Sequence, residues 1–139
     1  MAIVYRTEKL EAALKKLCTQ LNNVKGAVIV SIEGFVVAAY EPGRTANGSH
    51  DEERTTSSPQ VAAMAATLIA LGERTLARLG QGDMVRLLVE GDHGAMLVVP
   101  ASNRAAIALM VNNDAKMGLS LYALKQIAVE IRVILEGEE

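Results

Sequence analysis

Cysteine, aromatic residues and one-sided charge are all scarce in this chain, and each scarcity removes a class of answers. Cys18 stands alone among 139 residues. No internal disulfide can form, which fits a reducing compartment. Lysine and arginine number 14 against 16 acidic residues, a formal net charge of −2. That balance gives no electrostatic case for nucleic acid, and no basic cluster interleaves with Phe35 or the three tyrosines. The start, MAIVYRTEKLEAAL, joins no basic region to an apolar signal core, so a cytoplasmic protein is expected. The charge-free run from Pro59 to Gly72 is too short to span a bilayer.

What is present is half apolar and about a fifth charged, the composition of a globular chain, and residues 1–139 are expected to form a single domain. Its organising stretch is Pro59–Leu79, PQVAAMAATLIALGERTLARL. Ser58 supplies a capping oxygen, Pro59 suits the first turn, and Gly80 offers the left-handed residue that ends a helix. Val61, Met64, Ala65, Leu68, Gly72, Leu76 and Leu79 recur at three and four, which predicts a face to be covered. The other face carries Ala62, Ala63, Ala66, Thr67 and Ala70, with no charge before Glu73, Arg74 and Arg78. A solvated face ordinarily carries Lys and Glu, so a second neighbour is expected there.

Around this helix the pattern is regular. Thr7–Asn22 predicts a helix with Leu10, Ala13, Leu14, Leu17 and Leu21 inward and Cys18 as a small packing residue beside them. Two β-branched runs, Ala27–Ile32 and Phe35–Tyr40, are joined by Glu33-Gly34 as a two-residue hairpin turn, both runs being apolar enough for two covered faces. Glu41–Ser58 has one apolar side chain beyond Pro42, Ala46, and is expected to be a mobile polar loop. Its Asp51, Glu52 and Glu53, with His50 nearby, resemble a metal cluster only superficially, since consecutive side chains diverge. Met84–Glu90, Ala95–Val99 and Ala105–Val111 then predict three meandering strands, with His93 in a solvated turn. A last helix follows Gly118, with Leu121, Leu124, Ile127, Ala128, Ile131, Ile134 and Leu135 on one face.

Self-contained catalysis has no support in these patterns. No nucleophile, base and orienting group are spaced for a triad. Gly80-Gln81-Gly82 follows a helix and precedes a strand, the reverse of a dinucleotide fingerprint, and no GxxxxGK[ST] loop exists. Arg44, Arg54, Arg74 and Arg78 are conceivable arginine fingers for a partner, though ordinary surface charge is the commoner role. The expectation is no enzyme, no catalytic residue, no cofactor and no metal.

The stretches GAVIVSIEGFVVAA (Gly26–Ala39), Val61–Leu79, GQGDMVRLLVEGDHGAMLVVP (Gly80–Pro100) and AAIALMVNNDAKMGLSLYAL (Ala105–Leu124) together resemble the roadblock, or dynein light chain, family. The resemblance covers Leu10 to Leu135 and rests on element order with the placed turns Glu33-Gly34, Gly91–Gly94 and Asn113-Asp114. It implies an α+β, profilin-like fold: a five-stranded antiparallel sheet with the central helix on one face and the terminal helices on the other. It also implies a homodimer in which the strand at Asp83–Glu90 pairs with its copy and the central helices pack together. Ala62, Ala63, Ala66, Ile69, Ala70, Arg86, Leu88 and Glu90 would then be self-contacts. Family members bind small Ras-like GTPases or serve as scaffold subunits. The bacterial mutual-gliding-protein type stimulates hydrolysis in its GTPase by repositioning the partner's own catalytic groups. The resemblance therefore implies a regulator of a Ras-like GTPase, with Glu73, Arg74 and Arg78 as GTPase-binding candidates. The alternative is a structural adaptor of a larger complex.

Overall fold

The computed structural model describes residues 2–42 and 58–137. The candidates within the expected polar loop, Arg44, His50, Asp51, Glu52, Glu53 and Arg54, lie outside the described residues. Helix α1 spans Ala2–Gln20 and is followed by strands β1 (Val24–Ser31) and β2 (Val36–Tyr40). Helix α2 covers Pro59–Arg78. Strands β3 (Leu87–Gly91), β4 (Gly94–Ser102) and β5 (Ala105–Asn112) lead to α3 (Met117–Glu136). The strands form one antiparallel sheet in the order β2-β1-β5-β4-β3. This is the expected α+β architecture.

The sheet separates two cores. On one side α1 and α3 deliver Leu10, Leu14, Leu17, Leu124, Ile127 and Ile131 onto Ile29, Leu97, Ile107 and Leu109. On the other, α2 covers Val28, Val30, Val98, Ala106 and Ala108 together with Met84 from the segment that follows it. Strand β1 is therefore buried on both faces from Ala27 to Val30. Strand β2 is not. It lies at the sheet edge, and Val36 and Val37 remain more than a third exposed.

Local chemistry sets the connections. The Gly34 N–H donates to the Ser31 carbonyl at 2.9 Å, and the Ser31 N–H donates to the Phe35 carbonyl at 2.9 Å. With Gly34 at φ 98°, Ile32-Glu33-Gly34 forms a three-residue connection ending in a left-handed bulge, one residue longer than the expected turn. The Ser31 hydroxyl also accepts from the Phe35 N–H at 3.0 Å and fixes the geometry. Ser58 caps α2 as expected, its hydroxyl accepting from the Val61 N–H at 3.1 Å. Gly80, at φ 66°, follows the last turn of α2.

Helix α1 begins at Ala2 and ends at Gln20 where Thr7–Asn22 was expected, and β1 begins at Val24, three residues before the expected Ala27. Three other boundaries differ for identifiable physical reasons. Strand β4 runs through Pro100 to Ser102, because a register shift between Pro100 and Ser102 accommodates a residue that cannot donate. Gly118 lies in the first turn of α3, not ahead of it, and Lys116 occupies the cap position without a capping side chain. Strand β3 starts at Leu87, so Val85 precedes it and is exposed. Among the described residues, no helix is long and apolar enough to cross a membrane.

Candidate interaction surface of helix α2 and strand β3

Helix α2 sits on the sheet through its small residues. Ala62, Ala65, Ala66 and Ile69 are buried, with Gly72 and Leu76 half-buried beside them. Met64, at 58% exposure, and Leu79, at 64%, belong to the side expected to be covered but face away from the core. The reason is distance. Alanine lets a helix axis approach a sheet already filled by valines, whereas Met64 at that contact would hold it off. Two close approaches show how tight the fit is. A Cβ on Gly34 would lie 3.4 Å from the Ala63 Cα, and one on Gly72 would lie 2.5 Å from the Met84 methyl.

The expected self-contacts are thereby divided. Ala62 and Ile69 lie inside the subunit, against its own sheet, and Ala66 is buried beside the β1–β2 connection. A charge at Ala66 would thus attack the fold itself instead of reporting on self-association. Ala63 and Ala70 are exposed. So are Arg86, Leu88 and Glu90. Leu88 pairs with Leu97 and Glu90 with Ala95, residues of the two-helix side, while Val89 pairs with Met96 on the α2 side.

Sequence patterning missed the residues that replace the buried alanines. The β1–β2 connection lies against Ala63 and Ala66, and Met64, Leu68 and Leu71 lie on the opposite flank of α2. Met64 and Leu71 are more than half exposed, and Val89, also exposed, lies on the α2 side of the sheet opposite Met96. Among the described residues, strand β3 has a neighbour on one side only, leaving one row of its backbone N–H and C=O groups without a strand partner. The signal was available in the alternative wheel, Ala62-Ala65-Ala66-Ile69, but large side chains outweigh small ones in a count of apolar positions.

The polar candidates also part company. Arg74 and Arg78 rim a shallow hollow of about 330 Å³ with Leu71, Thr75 and Leu79 on the outer side. Glu73 instead borders a cleft of about 720 Å³ on the other flank, floored by Val30, Ile69, Met84 and Ala106, with Asp83 also at its edge. No single surface presents all three. Cys18 is buried beneath α1, and burial pushes its thiol up to about 12, so it stays protonated and inert at neutral pH. Among the described residues no three His, Cys, Asp or Glu side chains gather as a metal site.

The Roadblock/LC7 domain pattern matches residues 10–111, from the middle of α1 to the end of β5. The chain belongs to the Roadblock/LC7 family. An uncharacterized protein of Methanocaldococcus jannaschii is 33% identical over 113 residues, covering 80% of this chain and 87% of that one. Among solved structures, the gliding protein MglB of Thermus thermophilus aligns with a TM-score of 0.81 at 17% identity, over 96% of this chain and 93% of its own. A Roadblock/LC7 domain from Streptomyces avermitilis aligns with a TM-score of 0.75 at 21% identity, over 90% and 96%. At those identities the two structures establish the roadblock fold.

Proposed function

We propose that this roadblock chain is a non-enzymatic regulator of a small Ras-like GTPase, acting as a cytoplasmic homodimer. Two copies join through the free edge of β3 and the Met64–Leu68–Leu71 flank of α2, which pairs the open strand with its copy and covers Met64, Leu71 and Val89. The observation that carries this reading is the coincidence of an unpaired strand edge with exposed apolar side chains on the adjoining helix. Ala63, Thr67, Ala70 and Arg74 of both copies then border one broad platform for the GTPase. Arg74 and Arg78 lie on its outer side and supply positive charge for docking, while Glu73 belongs to the margin. Structural kinship with MglB supports the choice of partner class, in keeping with the resemblance drawn from the sequence.

Stimulation would come from reordering the partner's catalytic residues, as the family resemblance implies. Light scattering should give a dimer mass for the wild-type chain and a monomer for Leu71→Arg with unchanged circular dichroism. Single-turnover GTP hydrolysis by a Ras-like GTPase of the same organism should accelerate with the wild-type chain and not with Leu71→Arg. A complex indifferent to the bound nucleotide, with hydrolysis unchanged, would establish the adaptor role instead. Absence of binding in every nucleotide state would remove the regulatory reading.

A further inference from the structure

Helix α3 carries a second apolar ridge that the core does not use. Leu119, Tyr122, Val129 and Val133 are 56–65% exposed, although Leu124, Ile127 and Ile131 of the same helix are buried. With exposed Gln126 between them, the five positions follow one another at spacings of three, four, three and four. That is the seam spacing of a two-stranded coiled coil, continued over two heptads. Ordinary surface patterning would scatter these residues singly. Polar side chains border the ridge. Lys125 and Arg132 lie along one side and Glu130 along the other. Arg132 contacts Glu136 of its own helix at 3.5 Å, and Glu130 contacts Lys16 of α1 at 3.0 Å. Among the described residues, Lys125 has no ion pair.

We propose that the outward ridge of α3 is a self-pairing seam, joining two copies of this chain by a parallel, in-register pairing of their α3 helices. The flanking charges select this arrangement. In a parallel pair, a flanking residue meets the residue five positions further along the other strand. Lys125 then faces Glu130 of the second copy, twice by symmetry. Each Glu130 carboxylate has lone pairs enough to accept from both Lys16 and the incoming lysine. An antiparallel pair would set the Lys125 and Arg132 side of one copy against the same side of the other. Gln126 sits at the centre of the seam, where a single polar layer fixes register at some cost in stability.

The ridge offers roughly half of the ~800 Å² per partner that a standard interface buries. The seam is therefore weak between isolated subunits and strengthens when a pair already joined elsewhere presents two ridges at once. With the α2–β3 pairing proposed above, two different twofold contacts on one chain build either a closed tetramer or an open filament. The seam itself does not depend on that pairing.

Cross-linking tests it directly. The Gln126→Cys chain, under mild oxidant, should form a disulfide-linked dimer, since Cys18 is buried and Gln126 would meet its own copy. The same product should form in a Leu71→Arg background, which separates this seam from the α2–β3 contact. Adding Val129→Glu should abolish it. Lys125→Glu should lower the yield severalfold, and Lys125→Glu with Glu130→Lys should restore it. The positions are exposed, so each variant should keep the wild-type fold by circular dichroism, with only the small loss in thermal stability that breaking Lys16–Glu130 brings to Glu130→Lys. A Gln126→Cys chain that stays monomeric on oxidation, with mass in sedimentation indifferent to Val129→Glu, would overturn the proposal and leave the ridge to a helix of some other protein.

Discussion

The two faces of the sheet solve the same burial problem with opposite materials. Beneath α1 and α3 the contacts are leucine and isoleucine, and two helices cover the face. Beneath α2 they are alanine and valine, and one helix lies close to the strands. Large side chains fill space between elements held apart. Small ones remove that space by drawing the elements together. A single closely seated helix covers less sheet, and Val89 remains exposed on the strand furthest from β2. Incomplete cover on this side leaves apolar groups exposed for the partner contacts proposed above.

The comparison breaks most severely on the two-helix side. Leu14→Ala or Leu109→Ala should lower stability by about 2–5 kcal/mol in chemical denaturation, since each side chain is fully buried and leaves a cavity. The α2 side should respond to the opposite change. Ala65→Leu should cost about 1–3 kcal/mol by lifting the helix, while exposed Thr67→Leu stays within about 0.5 kcal/mol, measured the same way. Equal effects at 65 and 67 would mean that α2 is not seated through its alanines.

A pH-dependent effect comes from Cys18. Its folded thiol is raised from 9.0 to about 12 by burial, so the folded state keeps a proton that the unfolded state gives up. Stability from this group is complete below pH 9, falls as pH rises through that window, and is lost near 12, by at most about 1.4 kcal/mol per pH unit. Alkaline denaturation should show a shallower loss for Cys18→Ala than for wild type. The smallest effect is expected at Lys16–Glu130, where both side chains are about half exposed. Lys16→Ala should cost under about 1 kcal/mol, and less at high salt.

Most of the fold was legible in local pattern. Leu10, Leu14 and Leu17 marked the inner stripe of α1, and β1 was readable as a doubly covered strand because Ala27–Val30 is continuously apolar. Gly34 located the first hairpin, though not its extra residue, which follows from how Ser31 and Phe35 exchange hydrogen bonds. The candidate surface was less legible. Leu88, Arg86 and Glu90 were placed near the open edge by resemblance, yet Ala62 and Ala66 of α2, expected at a second copy, are buried within the subunit, while Ala63 and Ala70 are exposed. Helical periodicity defines faces without saying which one approaches a sheet, and a smooth alanine face serves a close sheet as well as a second helix. The ridge of α3 was missed because its partner face, Leu124-Ile127-Ile131, accounted for burial by itself.

By itself the sequence determined the order of elements, the caps at Ser58 and Gly80 and the doubly buried strand β1. These follow from short-range sterics and from apolar spacing, which act within a few residues. Only the tertiary structure decided which flank of α2 meets the sheet, which strand is left with an open edge and which apolar residues of α3 remain outside. Those outcomes depend on how closely elements distant in sequence can approach, and that distance is set by the volumes of side chains contributed from both sides at once.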